Sequence, residues 1–166
     1  MSVSESDSRQ TGPGVAALLA AGPELVALAL GNIATLPNIP YWYAFLDKPP
    51  FNPPNWVFAP VWTALYCLMG YAFFRILRLA PTPRRRGAII AFLTQIAVNI
   101  AWSFAFFGAH NPFLGLLVVL ALEGAILACI RRFARLDRIA ALCLWPYAAW
   151  VAFAALLNAG VWLLNG

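Results

Sequence analysis

The amino-acid sequence predicts an all-α integral membrane protein, a bundle of five transmembrane helices with a Pro/Trp-rich loop capping a pocket. The first observation behind this prediction is composition: 63% of the 166 residues are hydrophobic and 10% are charged, and the mean hydropathy is +0.77. Soluble domains contain about 45–50% apolar and about 25% charged residues. The second observation is a series of long apolar segments. The third is a short loop, between the first two segments, that is rich in proline and tryptophan.

Five apolar segments follow a polar N-terminal tail at residues 1–13. Each is near the length of about 20 residues that a helix needs to cross a bilayer. Strands of a membrane β-barrel would alternate apolar and polar residues over about ten positions, and these segments do not. We predict one membrane domain, 14–166, with helices at 14–36, 55–79, 86–108, 112–133 and 138–164.

Most of the positive charge lies in two short runs between apolar segments. Seven of the eleven basic residues fall within 84–86 and 131–138. Short basic loops stay on the cytoplasmic side of a membrane, so we expect the N-terminus inside, and the C-terminus and the loop at 37–54 outside. Nucleic-acid binding is excluded, because no basic groove is interleaved with exposed aromatic residues.

The loop between the first two helices is predicted to be a stiff lid. Residues 40–62 contain six prolines and three tryptophans, with Lys48 as the only base. Proline fixes φ and removes a backbone donor, which makes the segment rigid, and aromatic side chains favour burial or a membrane interface. We assign 42–53 to the lid and 56–62 to the start of the second helix, with Trp62 facing a pocket.

Three predicted helices carry polar or aromatic residues one turn apart, which places them on one face of each helix. These are Trp62, Tyr66 and Gly70 on the second helix, Gln95, Asn99, Trp102 and Ser103 on the third, and Trp150, Ala154 and Asn158 on the fifth. Such faces together suit a flat, mostly apolar ligand with a few hydrogen-bonding groups. Alternatively, the amides bond neighbouring helices and the tryptophans pack in the core or at the interface.

Small residues line the opposite face of the third helix, at Ala97, Ala101 and Ala105. Small residues at this spacing let helices approach closely. They fit either close packing within the bundle or the seam of a homodimer.

Two acidic residues lie within the apolar segments, where each is a candidate functional residue. Glu123 lies mid-span on the fourth helix and fits either a polar partner or proton transfer. Glu24 follows Pro23, a pair typical of a helix's first turn, so the first helix is expected to kink or start late. The three cysteines are expected to be buried small hydrophobic residues: Cys67, Cys129 and Cys143.

The sequence contains no nucleophile elbow, Walker loop, dinucleotide fingerprint or metal-binding pair. We therefore predict no metal site and no required cofactor. Any activity would have to come from the ligand itself or from the redox chemistry of tryptophan.

A set of motifs in fixed order resembles the TspO/MBR family, which comprises bacterial tryptophan-rich sensory proteins and the mitochondrial translocator protein, also called the peripheral-type benzodiazepine receptor. The motifs are Trp42-Tyr43, Lys48-Pro49, Pro53-Pro54-x-Trp56-Val57-Phe58, Pro60-Val61-Trp62, Leu65-Tyr66, Met69-Gly70, Gln95-x3-Asn99-x2-Trp102, Phe106-Phe107-Gly108 and Pro146-Tyr147-x2-Trp150-x2-Phe153-Ala154-x2-Leu157-Asn158. The resemblance covers nearly the whole chain after the polar tail.

The resemblance implies a five-helix bundle, usually a homodimer, in a bacterial cell membrane, without deciding between inner and outer membrane. It implies binding of porphyrins such as protoporphyrin IX and haem, and of isoquinoline carboxamide and benzodiazepine-type drugs. The pocket residues that carry over are Tyr43, Pro53, Trp62, Tyr66, Asn99, Trp102, Trp150 and Ala154. Asn158 joins them as a candidate ligand contact, and Lys48 as a cation for an acidic edge of the ligand.

Animal members of the family also bind cholesterol through a late motif of Leu or Val, Tyr and a base. Residues 157–166 contain neither Tyr nor a base, so sterol binding at that place is doubtful.

Two hypotheses for function remain. The first is a receptor- or sensor-type membrane protein that binds tetrapyrroles and passes them on. The second is an enzyme that degrades protoporphyrin IX in light, as some bacterial relatives do, with Trp62 and Trp150 as the catalytic residues. The first is favoured because no acid–base or metal constellation supports turnover.

Overall fold

The computed structural model describes residues 11–166, and throughout that range its regular secondary structure is helical. Its α-helices are α1 (Pro13–Thr35), α2 (Asn38–Tyr41), α3 (Phe58–Leu77), α4 (Pro83–Ser103), α5 (Pro112–Ala134) and α6 (Arg138–Asn165). Short 3-10 turns lie at Tyr43–Phe45 and Asn55–Val57, and a π-helical turn at Phe104–Gly108 extends α4. Five helical stretches are long and apolar enough to cross a membrane. The prediction of a five-helix, multi-pass integral membrane protein is confirmed.

The helices surround the bundle axis in the order α1, α3, α6, α5, α4, and α4 packs in turn on α1. Large apolar side chains such as Leu18, Leu120 and Leu142 point outward from this ring. A bilayer is the environment in which such an apolar outer surface is stable.

Prolines mark helix starts more often than the sequence prediction assumed. The third transmembrane helix begins at Pro83 rather than at 86, and the hydroxyl of Thr82 accepts a hydrogen bond from the amide of Arg85 at 3.1 Å. Proline suits the first turn of a helix because the backbone N–H groups of that turn have no partner within the helix, so the N–H that proline lacks costs no hydrogen bond. The first helix, α1, likewise begins at a proline, Pro13. It continues through Pro23, so the expected late start at Glu24 does not occur.

The two ends of the bundle are distinct. At one, here called the arginine end, the guanidinium of Arg85 donates to the carbonyls of Ile76 and Leu77 at 3.1 and 2.7 Å, which caps the C-terminus of α3. Arg78 bonds the carbonyl of Thr11 at 2.8 Å, so the chain's first described residues lie at this end.

At the other end, here called the lid end, residues 42–53 form the lid. The amide nitrogen of Asp47 donates to the side chain of Asn165 at 3.0 Å, and the Asn165 side chain donates to the Asp47 carbonyl at 2.9 Å. His110 contacts Asn38 at 2.7 Å. The lid, the α4–α5 turn and the C-terminus therefore share one end, in agreement with the grouping expected from the charges.

The cysteines do not behave alike. Cys129 is buried, but Cys143 is only partly buried and Cys67 is exposed. The expectation of three buried cysteines is wrong for these two, because a run of apolar residues does not reveal which face of a membrane helix meets the bundle.

Candidate functional site

A cavity of about 670 Å³ opens between α1, α3, α4, α6 and the lid. Its volume lies in the range of about 300–1,000 Å³ typical of small-molecule sites. Seven of the ten ligand contacts predicted from the sequence line it: Tyr43, Trp62, Tyr66, Asn99, Trp102, Trp150 and Ala154. Ser103 also lines it. Lys48, Pro53 and Asn158 do not.

Aromatic rings form the walls of this cavity. The Trp62 ring lies 5.5 Å from that of Tyr66, and Trp150 meets Phe58 edge-on at 5.8 Å. Trp62, Trp102 and Trp150 are each only partly buried. The exposed parts of these rings are therefore available to contact a flat ligand.

Two amide side chains near the cavity have different positions. Asn158 accepts a hydrogen bond from the indole N–H of Trp102 at 3.1 Å and donates to the carbonyl of Pro112 at 2.8 Å. Asn99 lines the cavity and donates to the hydroxyl of the fully buried Tyr147 at 3.1 Å. Asn158 thus positions Trp102, whereas Asn99 lies at the cavity surface.

Lys48 is turned toward its own loop. Its Nζ lies 4.7 Å from the centre of the Tyr43 ring and donates to the carbonyls of Leu46 and Ala44 at 3.0 and 3.5 Å. In this arrangement the ammonium stiffens the lid. Its role toward an acidic ligand edge stays a prediction, and contact would require its long side chain to change rotamer.

Tyr43 is the lid residue that reaches the cavity. Burial raises the pKa of its phenol, an effect partly offset by the hydrogen bond between its hydroxyl and Asn52 Oδ1 at 3.1 Å. Tyr43 therefore stays neutral at physiological pH and offers a hydroxyl group at the mouth of the cavity.

The lid is held down at several points. The Trp42 ring meets Phe106 edge-on at 5.3 Å and stacks on His110 at 4.8 Å. Pro49 is buried against Gly160 of α6, and a Cβ at Gly160 would come within 2.9 Å of Pro49 Cγ. The lid is thus closed over the cavity in this structure.

Sequence reasoning missed the contribution of α1, which supplies a whole wall of the cavity. The wall includes Glu24, Leu28, Gly31, Asn32 and Thr35. Glu24, Leu28, Gly31 or Asn32, and Thr35 follow one another at three or four residues, and four of the five positions are polar or glycine. The signal was present in the sequence, but the high hydropathy of the helix concealed it.

The small-residue face of α4 divides between two environments. Ala97 and Ala101 are exposed on the outer surface, while Ala105 is buried in the bundle. Ala105 therefore packs within one chain. The homodimer seam at the other two positions stays a prediction.

The chain is similar to several known proteins. A model of the TspO/MBR family matches residues 19–163. The tryptophan-rich protein TspO of Archaeoglobus fulgidus is 37% identical over 152 residues, which cover 85% of this chain and 93% of that protein. The human translocator protein is 38% identical over 126 residues, 75% of each chain. The tryptophan-rich sensory protein of Cereibacter sphaeroides is 36% identical over 124 residues, 75% of this chain and 77% of that one. The chain belongs to the TspO/MBR family.

Proposed function

We propose that this chain is a receptor- or sensor-type membrane protein that binds porphyrins, such as protoporphyrin IX and haem, in the cavity beneath the lid. The observation that carries the proposal is a cavity of about 670 Å³ whose walls present the rings of Trp62, Trp102 and Trp150. A porphyrin is flat and largely apolar, so it can stack on these rings. The names of the relatives, which include a sensory protein and translocator proteins, support the same class of function.

The polar groups of the cavity suit the edges of such a ligand. Asn99 and Tyr43 offer hydrogen bonds at two places on the wall. Isoquinoline carboxamide and benzodiazepine-type drugs, which are also aromatic and carry few polar atoms, fall under the same proposal.

Titration of the detergent-solubilised protein with protoporphyrin IX, followed by quenching of tryptophan fluorescence, tests this function. Ala154→Phe would fill the cavity and should weaken binding about tenfold or more. Ala152→Phe is the matched control, because Ala152 lies on the outer face of the same helix. Equal affinities of the two variants, or no saturable quenching by the wild type, would overturn the proposal.

A second candidate is light-dependent oxidative degradation of protoporphyrin IX with dioxygen as the oxidant. The observation in its favour is that Trp62 and Trp150 line the same cavity. Illumination of the complex in air should then bleach the porphyrin faster than in protein-free detergent, and Trp62→Phe and Trp150→Phe should each abolish the difference. Binding without protein-dependent bleaching leaves only the receptor function, and flux of porphyrin into sealed vesicles tests transport.

A further inference from the structure

Among the residues that the structure describes, Glu24 is the one acidic residue that lines the cavity. It is the twelfth residue of the 23 in α1, which places it near the middle of the membrane. Its side chain is buried, with only 6% of the residue exposed. Polar residues at that depth are costly and mark functional sites by default.

Neither carboxyl oxygen of Glu24 has a hydrogen-bond partner among the residues that the structure describes. Gly70 of α3 lies close to it across the helix interface, and a Cβ there would lie 3.9 Å from the carboxyl carbon and from Oε1. Gly70 offers no side-chain polar atom to the carboxyl. A buried carboxyl normally has partners, so this one points to a group that the protein itself does not supply.

The other groups on the cavity wall do not neutralise Glu24. Within the described chain, the lining includes no Lys, Arg or His side chain. The titratable groups that share the wall with it are Tyr43, Tyr66 and Cys67. An ionised carboxylate there would lack a counter-ion, which is costly within a bilayer.

We propose that Glu24 is a ligand-recognition residue, whose carboxyl binds a basic or N–H-donating nitrogen on a flat aromatic ligand at the deep end of the cavity. This proposal rests on the proposed function, since it requires that the cavity take a ligand. A nitrogen cation would supply the missing counter-ion, and a neutral N–H would satisfy one carboxyl oxygen.

The position of Glu24 also determines which edge of the ligand faces the mouth of the cavity. The lid closes the cavity mouth, where Tyr43 lies, and Glu24 lies deeper on α1. The described lining offers no cation to pair with an acidic edge beside Glu24, so such an edge faces the mouth, while the nitrogen-bearing part faces inward. Cavity ligands are thereby selected by chemistry as well as by shape.

Three pyrene probes of nearly equal shape test the proposal: 1-pyrenemethylamine, 1-pyrenemethanol and 1-pyrenecarboxylate. Binding is measured in an uncharged detergent by energy transfer from tryptophan, with protein-free micelles as the blank. A hydrogen bond to a charged group contributes about 1.5–3 kcal/mol, so the wild type should bind the amine about tenfold or more tighter than the alcohol. The carboxylate should bind weakest.

Glu24→Gln should bring the affinities for the amine and the alcohol to within about threefold of each other. Glu24→Asp, which retains the carboxyl, should keep the preference. The matched control is Thr63→Val, because Thr63 lines the same cavity but donates its hydroxyl to the carbonyl of Ala59 in its own helix. This control should leave the amine-to-alcohol ratio unchanged.

The outcomes separate the two proposals. If the alcohol binds the wild type and Glu24→Gln equally, and the amine-to-alcohol ratio is the same in both, the cavity function stands and the role of Glu24 is overturned. If no probe binds the wild type, both fail. An infrared difference spectrum of the wild type provides a test without substitution: adding the amine should convert a carboxyl band to a carboxylate band or shift it, and an unchanged carboxyl region would contradict the role of Glu24.

Discussion

At the arginine end of the bundle, the rings of Phe73, Phe92 and Phe133 lie one on another, with centroids 4.1 and 6.0 Å apart, and all three side chains are buried. At the lid end, the tryptophans of α3, α4 and α6 surround a cavity and are only partly buried. Both ends are rich in aromatic residues. They differ in how far the rings are enclosed: the phenylalanine rings are buried, whereas part of each tryptophan ring is open to the cavity.

This difference indicates that similar aromatic side chains have different roles at the two ends. Stacked, fully buried rings exclude space and contribute packing energy to the fold. Rings around a cavity forgo part of that packing and must be held by other contacts, as Trp102 is held by Asn158 at 3.1 Å. We infer that the phenylalanine stack at the arginine end contributes to the stability of the bundle, and that the lid end holds the proposed ligand site.

Phe92→Ala should have the largest effect on the stability of the arginine end. Removing a fully buried ring between two others should lower the free energy of unfolding by about 3–5 kcal/mol, from lost packing and the cavity left behind. The measurement is unfolding in mixed micelles by increasing denaturing detergent. Leu93→Ala, one residue away on the lipid-facing side, should change stability far less, and porphyrin affinity of the folded Phe92→Ala protein should stay near the wild-type value. A large loss of affinity at unchanged stability would contradict the division between the two ends.

Asn158→Leu tests the lid end, where Asn158 holds Trp102. The substitution leaves the indole N–H of Trp102 and the carbonyl of Pro112 without their partner, at a cost of about 1–3 kcal/mol. Because Trp102 also loses the contact that orients it, affinity for protoporphyrin IX should fall about tenfold. Thr94→Val is the control, since its hydroxyl bonds only the Ile90 carbonyl of its own helix. If stability falls while ligand affinity does not, Trp102 is not a wall of the binding site.

Gly160→Ala tests the closed lid. The added Cβ would lie 2.9 Å from Pro49 Cγ, so the lid must shift, at a cost of about 1–3 kcal/mol to its docking on α6. Bound protoporphyrin IX should dissociate about fivefold to tenfold faster, as measured by stopped-flow transfer to an excess of acceptor micelles. Gly124→Ala is the matched control, because a Cβ there meets nothing within 4 Å. Equal dissociation rates in both variants would show that the lid does not gate the cavity.

Part of this site could be predicted from the sequence, and the reason is periodicity. Residues one turn apart share a helix face. This rule predicts that Trp62 and Tyr66 lie together on one helix, and Trp150 and Ala154 on another. All four residues line the cavity. Periodicity shows which face of a helix a residue occupies, but not how far its side chain lies from the cavity surface. It therefore did not separate Asn99, at the cavity surface, from Asn158, which lies behind Trp102.

Two further features depend on information that spacing does not contain. The packing of Lys48 on Tyr43 results from the conformation of the lid, and a flexible side chain in a loop has no period from which to read its contacts. The wall formed by α1 required knowledge of which helices are neighbours, and the contacts of α1 with both α3 and α4 follow from the whole arrangement of the bundle.

The smallest expected effect concerns the ion pair that joins α3 to the start of α6 at the arginine end. Arg75 Nε lies 2.8 Å from Asp137 Oδ2, and Oδ1 accepts the amides of Ile139 and Ala140 at 2.9 and 3.0 Å. Burial alone would raise the pKa of Asp137, but the amide hydrogen bonds and the guanidinium outweigh it and hold the pKa below its usual value. The stability from this carboxylate is therefore fully present above the unfolded-state pKa of about 3.9 and is lost as the pH falls through the lower folded-state pKa.

Asp137→Asn keeps an oxygen that can cap α6 but removes the charge, so it isolates the ion pair. At pH 7 the variant should be less stable than the wild type by about 1 kcal/mol or less, the usual range for a solvent-accessible ion pair. The difference should shrink as the pH is lowered below 4, because the protonated wild-type side chain then resembles the variant. Denaturing-detergent titrations at pH 7, 5 and 3 measure it. A difference that grows with acidity would mean that the ionised carboxylate destabilises the arginine end, against the sign of its pKa shift.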